Sequence, residues 1–482
     1  MAIAENLKIP NPTEGIIRAA AIADPVSQEN SVQEAVNFHF DSMGVMTGRP
    51  GLTQYADVPS TSNPILSYGA WSQNATSNRK LLAQQGTAIY ALSAGTWSSV
   101  RSGLVANNKA RYAQYLNLTY MINGYNGDAI QSFNGTTFSA TNVGSFAANL
   151  SSGKGDFINA GFEGRIWIVD RSLDRLYYSD VVSPTGVITG GTEYIERLSP
   201  QDGQSITGLM QVDRALLVFK QNSIFRVYSA SSVDPYPAYY LGTYSQESII
   251  KTEDGVFFHH PTGFYKFVYG AQPQNISRRI IDFVENILRV NYEQITGWSD
   301  QDHIYWSCGD ITIKGKLYRN CVCRYTMSTN VWTIYSYANT ITATIIYDDG
   351  TSILPLVGTN LGITARTDIG TSDMGSKIFV EGISRWITFS TTASPQKQIT
   401  GAAAIHQNCA GMKVDFQFDK DDPNKFQTVM TLKDNYADPF PNIDVKDFSR
   451  MRYRISGSYD TTVPVFETIE ILKLVTKGPK NN

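Results

Sequence analysis

The sequence is short of charge. Lys and Arg together number 40 and Asp and Glu 43 in 482 residues, 17% in all, where soluble domains carry about 25%. The formal net charge of −3 leaves no surplus of cations to neutralise a phosphate backbone, which excludes a protein that coats DNA. Cysteine is scarce as well. Cys308, Cys321, Cys323 and Cys409 are too few for a disulfide framework in so long a chain and point to folding in a reducing cytosol. In that compartment the Asn-x-Ser/Thr triplets carry no meaning. Long apolar runs are missing. The stretch from Ile16 to Val26 is broken by Arg18 and Asp24, is too short and polar to span a bilayer, and lacks the basic-then-apolar order of a secretory signal.

Aromatic residues are plentiful, with 27 Tyr, 22 Phe and 7 Trp. That mix favours strands. Helical periodicity is rare, whereas short alternating runs that end in Gly, Asn, Asp or Ser recur from residue 86 onward. Each unit reads as a hydrophobic strand, a tight polar turn and a second strand bearing an aromatic. First strands begin near residues 89, 121, 166, 216, 257, 304 and 353, about 44 residues apart on average, which is the length of a four-stranded propeller blade. Radial stacking of such sheets buries both faces without leaving long edges. The expected fold is therefore all-β: a β-propeller of six to eight blades, with a series of hairpins in a sandwich as the alternative. Ile280, Ile281, Val284, Ile287 and Leu288 fall at helical spacing, so 280–292 is expected to be a short helix on the propeller rim. After residue 372 strands of stricter alternation begin, and residues 373–482 read as a C-terminal antiparallel β-sandwich. Residues 1–35 are polar and Pro-punctuated and read as an extended arm, leaving 36–372 for the propeller.

Candidate chemistry is sparse. Cys308, Cys321 and Cys323 with His303 nearby match no standard zinc spacing and read as buried thiols. Asp415, Asp419, Asp421 and Asp422 crowd one hairpin, but Pro423 and Asn424 build its turn without the glycine of a calcium loop. His259 and His260 are adjacent on a strand and face opposite ways. With His39, His303 and His406 the only others, no Ser/His/Asp set suggests itself. Ser93-Ala-Gly-Thr-Trp97 and Ser328-Thr-Asn-Val-Trp332 keep part of a sialidase-like Asp-box without its Asp, and read as hairpins whose Trp packs on the next blade. No phosphate-cradling Gly-Lys-Ser/Thr loop occurs. No catalytic residue, metal ligand, cofactor or small-molecule substrate is expected. The partner-binding candidates are Arg450, Arg452 and Arg454, which share one strand face opposite Met451, Tyr453 and Ile455. On that face they either meet carboxylates or phosphates of a partner or are balanced by local acids such as Asp444 and Asp447.

Several stretches resemble one family, the tail nozzle or packaged-DNA stabilisation proteins of short-tailed bacteriophages. Val36-Asn-Phe-His-Phe-Asp-Ser-Met-Gly-Val-Met-Thr-Gly-Arg-Pro-Gly-Leu52 is similar to the family's opening, and Ile206 to Tyr228 to its central blade. Asn275 to Ile287, then Asp302-His-Ile-Tyr-Trp306 and Arg324-Tyr-Thr-Met-Ser-Thr-Asn-Val-Trp332, follow the family's order of helix, strand, excursion and Trp turn. Thr326 stands where that turn usually has Asp, and Arg278 and Asp282 where Thr and Glu are common. The resemblance implies a structural protein without an active site. Its expected state is a homo-oligomeric ring, a hexamer, below the portal and adaptor ring of the virion tail, assembled in the host cytoplasm. Such a ring holds a tail needle or plug and tail spikes or fibres, and DNA passes through it without sequence-specific binding. A conduit that gripped phosphates would slow ejection, and the low charge fits that demand. The alternatives are a carbohydrate-binding or glycoside-cleaving β-propeller and a propeller from another part of a phage tail.

Overall fold

The computed structural model describes residues 4–9, 11–18, 30–60, 63–73, 78–124, 127–140, 155–198, 203–234, 237–367, 369–388, 397–419, 425–433, 437–440, 445–448 and 450–476. Five strands come first: β1 (Ala4–Lys8), β2 (Val32–Val36), β3 (Phe38–Phe40), β4 (Met46–Gly48) and β5 (Thr53–Ala56). Seven four-stranded antiparallel blades follow among the described residues, at 65–101, 111–139, 155–194, 206–233, 250–275, 296–336 and 341–366. The last blade has only three strands of its own. Its fourth is β5, which pairs with Thr364–Arg366 and closes the ring with a strand from the other end of the propeller chain. Inner strands touch in sequence around the axis, and Ile341–Asp348 returns to meet Ile65–Ser72.

The blades hold together because each carries apolar side chains on both faces. Leu216 and Val218 of blade four meet Trp167 and Val169 of blade three, while Leu217 and Phe219 turn to Val256 and Phe258 of blade five. Alternation along one strand thus feeds two separate cores. The helical signal near 280 resolves into a 3₁₀ turn (Arg278–Ile280), an α-helix (Ile281–Glu285) and a second 3₁₀ stretch (Arg289–Gln294). Phe283 packs edge-on against Tyr318 of blade six at 4.9 Å.

The second body is a two-sheet sandwich. One sheet runs β2, Ile378–Ser384, Arg450–Tyr459, Lys413–Phe418, Gln427–Thr431; the other runs β3, β4, Val465–Thr476, Lys397–Gln407, Ala437–Phe440, with β1 also on Val465–Thr476. Residues expected as an arm therefore supply strands. Val32, Ala35, Val36 and Phe38 are buried in the shared core, and burying them requires partners more than 340 residues away. Sheet boundaries follow suit: the propeller strands span 53–366, and strands within 4–48 and 378–476 build the sandwich.

The two bodies share a sheet. The outer strand of blade six, Val331–Ser336, is joined in parallel to β2 through Val36 and Ile334, so nine strands run unbroken from the propeller axis to the far edge of the sandwich. The chain crosses between the bodies twice, side by side, and Arg49 and Asp373 on the two crossings meet there. Contact is so close that a Cβ on Gly51 would run into the Ser372 carbonyl. Gly51→Ala is expected to lose about 1–3 kcal/mol of stability through overpacking, read as a fall in the urea midpoint.

Candidate functional site

The three arginines lie on the outward face of Arg450–Tyr459, while Met451, Tyr453 and Ile455 are buried. They form a stack with two rings. Arg450 and Arg452 sit 5.6 and 4.9 Å from the Trp386 centroid, and Arg452 and Arg454 sit 5.1 and 4.6 Å from that of Phe426. All three have partners within the chain, two of them at close range. Arg452 donates to Gln417 and Gln33, both at 2.6 Å, and Arg454 places Nε and Nη2 on Asp415 at 2.7 and 2.6 Å. Arg450 lies 3.8 Å from Asp419, with half of its side chain exposed. Asp444 and the side chain of Asp447 fall outside what is described; among the described residues the carboxylates paired with the arginines are Asp415, Asp419 and Glu381. Glu381 also pairs with Lys316 of blade six, which bridges to Glu34 of β2. Arg454 thus ends a chain of charges that ties the propeller to the sandwich.

The remaining sequence candidates are mostly structural. Cys308, Cys321 and Cys323 are buried in blade six, where burial raises the Cys308 thiol. His303 instead pairs with Asp300 at 2.7 Å. Asp421, Asp422, Pro423 and Asn424 lie outside the described residues. His259 is enclosed by Phe264 and Tyr292, and His260 bonds Thr262 and Asn222. Trp97 packs with the core of blade seven and Trp332 against Phe264 of blade five.

Sequence reasoning missed the propeller axis. Walls from several blades line an open cavity of about 170 Å³, and beside it lies a second, the mouth, of about 290 Å³. Lys109 lines both. Lys109 and Arg111 alternate as the chain enters blade two, so both side chains point inward, and both reach Glu247 Oε1 at 3.2 Å. Arg111 also donates to the Asp156 carbonyl at 3.0 Å. Burial pushes the Glu247 carboxyl up, but Arg111 and Lys109 outweigh it and hold it at about 2. Burial lowers the Lys109 ammonium against the upward pull of Glu247. Glu293 at the mouth pairs with Arg171 at 3.2 Å. Two cations around one carboxylate suit recognition of an anion. No motif marks it; the only signal is Lys-x-Arg at the start of a strand.

No protein-family model matches the chain, and no curated protein matches it. Among solved structures it is similar to a streptogramin B lyase (15% identity, 66% of this chain and 97% of that one, TM-score 0.45) and to YCF48 from Cyanidioschyzon merolae (11%, 66% and 98%, TM-score 0.39). It is also similar to the extracellular domain of a one-component system from B. thetaiotaomicron (10%, 94% and 64%, TM-score 0.48). At such identities the likeness is one of fold alone.

Proposed function

We propose that this chain is a virion structural protein, the subunit of a ring, a hexamer, that forms the tail nozzle of a short-tailed phage below the portal and adaptor. In this reading it retains packaged DNA, forms part of the ejection conduit, carries needle and spikes, and performs no catalysis.

The observation that carries the reading is spatial. Four of the family-like stretches gather on blade six, and the first of them, through Asn37, ties that blade to the sandwich. Trp332 donates to the Ile276 carbonyl at 2.8 Å, Asp302 accepts from Ser328 N and Oγ at 2.9 and 2.6 Å, and Asn37 N donates to Ile334 O at 2.8 Å. Asp282, one of the departures, is paired with Arg18 of the N-terminal segment at 2.5 Å. A joint of continuous strands and buried pairs is stiff, which suits a part that must transmit force between a capsid and its tail. Arg450 is the guanidinium of the stack most open to a neighbouring subunit's carboxylate.

Particles lacking the chain are expected to package DNA and then leak it, read as DNA-empty heads and lost infectivity that the added protein restores. Stable DNA-filled, infectious particles without it would overturn the proposal. On the adaptor, six copies of the 53.3 kDa chain should be counted by mass.

A further inference from the structure

We infer that the propeller axis holds a binding site for a small organic anion, whose carboxylate or phosphate sits at Lys109 and Arg111 while its polar body occupies the mouth.

Charge gives the first argument. Two cations share one carboxylate oxygen, so the group of Lys109, Arg111 and Glu247 carries one excess positive charge inside a walled cavity. Glu293 is paired with Arg171, while the Asp156 carboxylate, bonded to the Arg171 backbone amide at 3.2 Å, is a negative charge on the same wall. Two cations recessed between the blades attract an anion more strongly than the same cations on an open surface.

Donor geometry gives the second. Glu247 takes one proton of the Lys109 ammonium and the Nε proton of Arg111, and the Asp156 carbonyl takes one from Nη1. Arg111 Nη2 has no protein partner among the described residues, and Lys109 retains two further protons. The side chains of Lys109 and Arg111 remain 30% and 22% exposed, and that exposure opens into the cavity. An oxyanion there takes two charge-assisted bonds without displacing Glu247.

Size and lining give the third. The mouth, at about 290 Å³, carries Asn107, Asn291 and Gln294 beside Ile65 and Ile341, and with the inner cavity it reaches the size of small-ligand pockets. Amides that donate and accept suit a hydroxylated body such as a sugar acid or sugar phosphate.

The test is titration calorimetry on the full chain at low salt with glucuronate, glucose 6-phosphate and glucose. One of the two anions should saturate at one per chain, and which one identifies the group recognised; neutral glucose should not bind. Lys109→Met should weaken that anion about tenfold or more, the usual effect of losing a charged hydrogen bond, and Lys109→Arg should keep it within a few-fold, separating charge from folding. Glu247→Gln, which frees both cations, should tighten it. The inference fails if neither anion binds, if glucose binds as well as glucuronate, or if Lys109→Met binds like the parent at an unchanged melting temperature.

Discussion

Replacing Arg49 by methionine is expected to destabilise the protein by about 3–5 kcal/mol, the cost of leaving the other half of a buried ion pair without its partner. All five donors of Arg49 are in use. Nη1 and Nη2 clasp Asp373 at 2.8 and 2.6 Å, Nε meets Asn37 Oδ1 at 2.8 Å, and the two Nη groups also reach the carbonyls of Pro50 and Ser336. The guanidinium lies 4.0 Å from the Tyr337 ring centroid. Both charged side chains are all but sealed from solvent, at 0% and 2% exposure, so water cannot replace what the substitution removes. Arg49→Lys should lose nearly as much, because an ammonium cannot reproduce the fork. Arg49→Met with Asp373→Asn should recover part of the loss, since the stranded charge is gone. Urea unfolding of the set decides it: a loss under about 1 kcal/mol for Arg49→Met would show that the pair is not what fastens the two crossings.

Acid should unfold the protein through its histidines. Burial lowers His39 and His259 to about 3 and His260 to about 4. His39 is further depressed by Arg324 and His303, and His259 by His260. All three lie below the ordinary value of 6.5, so the stability they contribute is full above pH 6.5 and is lost as pH falls toward 3–4. Each unit of that descent costs about 1.4 kcal/mol per histidine, so near pH 4.5 His39 and His259 together cost about 5 kcal/mol. Glu247 acts in the same direction but lower, between its ordinary value and about 2. His259 has no partner for either ring nitrogen among the described residues and sits between two aromatic rings, so His259→Phe should fit and flatten the curve between pH 6.5 and 4.5. An unchanged slope in that variant, measured by denaturant titration across the range, would refute the assignment.

Much of the propeller was legible because its signal is local. Six of the seven positions at which units were expected to begin fall on or beside the second strand of a blade; the exception, Ile89, lies on the third strand of blade one. These strands pair with neighbours a few residues away, and alternation with turn residues records such pairing. The sandwich was legible only in part. Val32–Val36 is short and its partner Ile378–Ser384 lies at the other end of the chain, so no window of sequence contains the pair. The arginine ladder was read correctly as a face, since period two is fixed by the strand. Asp444 and the Asp447 side chain, named as local acids, lie outside what is described, and Asp415 takes Arg454 through the register of Lys413–Phe418 against Arg450–Tyr459, which no local pattern records. Lys109, Arg111 and Glu247 left no trace beyond the Lys-x-Arg spacing, because the ring alone brings Glu247 to them.

The order of the strands also sets the timetable of a nascent chain. Val465–Thr476 is the strand on which β1, β4 and Lys397–Gln407 all pair, and it is the last strand described. While the ribosome is still at work, the first strands have no lasting partner, and β5 must wait roughly three hundred residues before Thr364–Arg366 arrives to close the ring. The blades, whose contacts are short-range, form first. The sandwich is the seal, set only when the far end of the chain emerges and takes hold of the beginning.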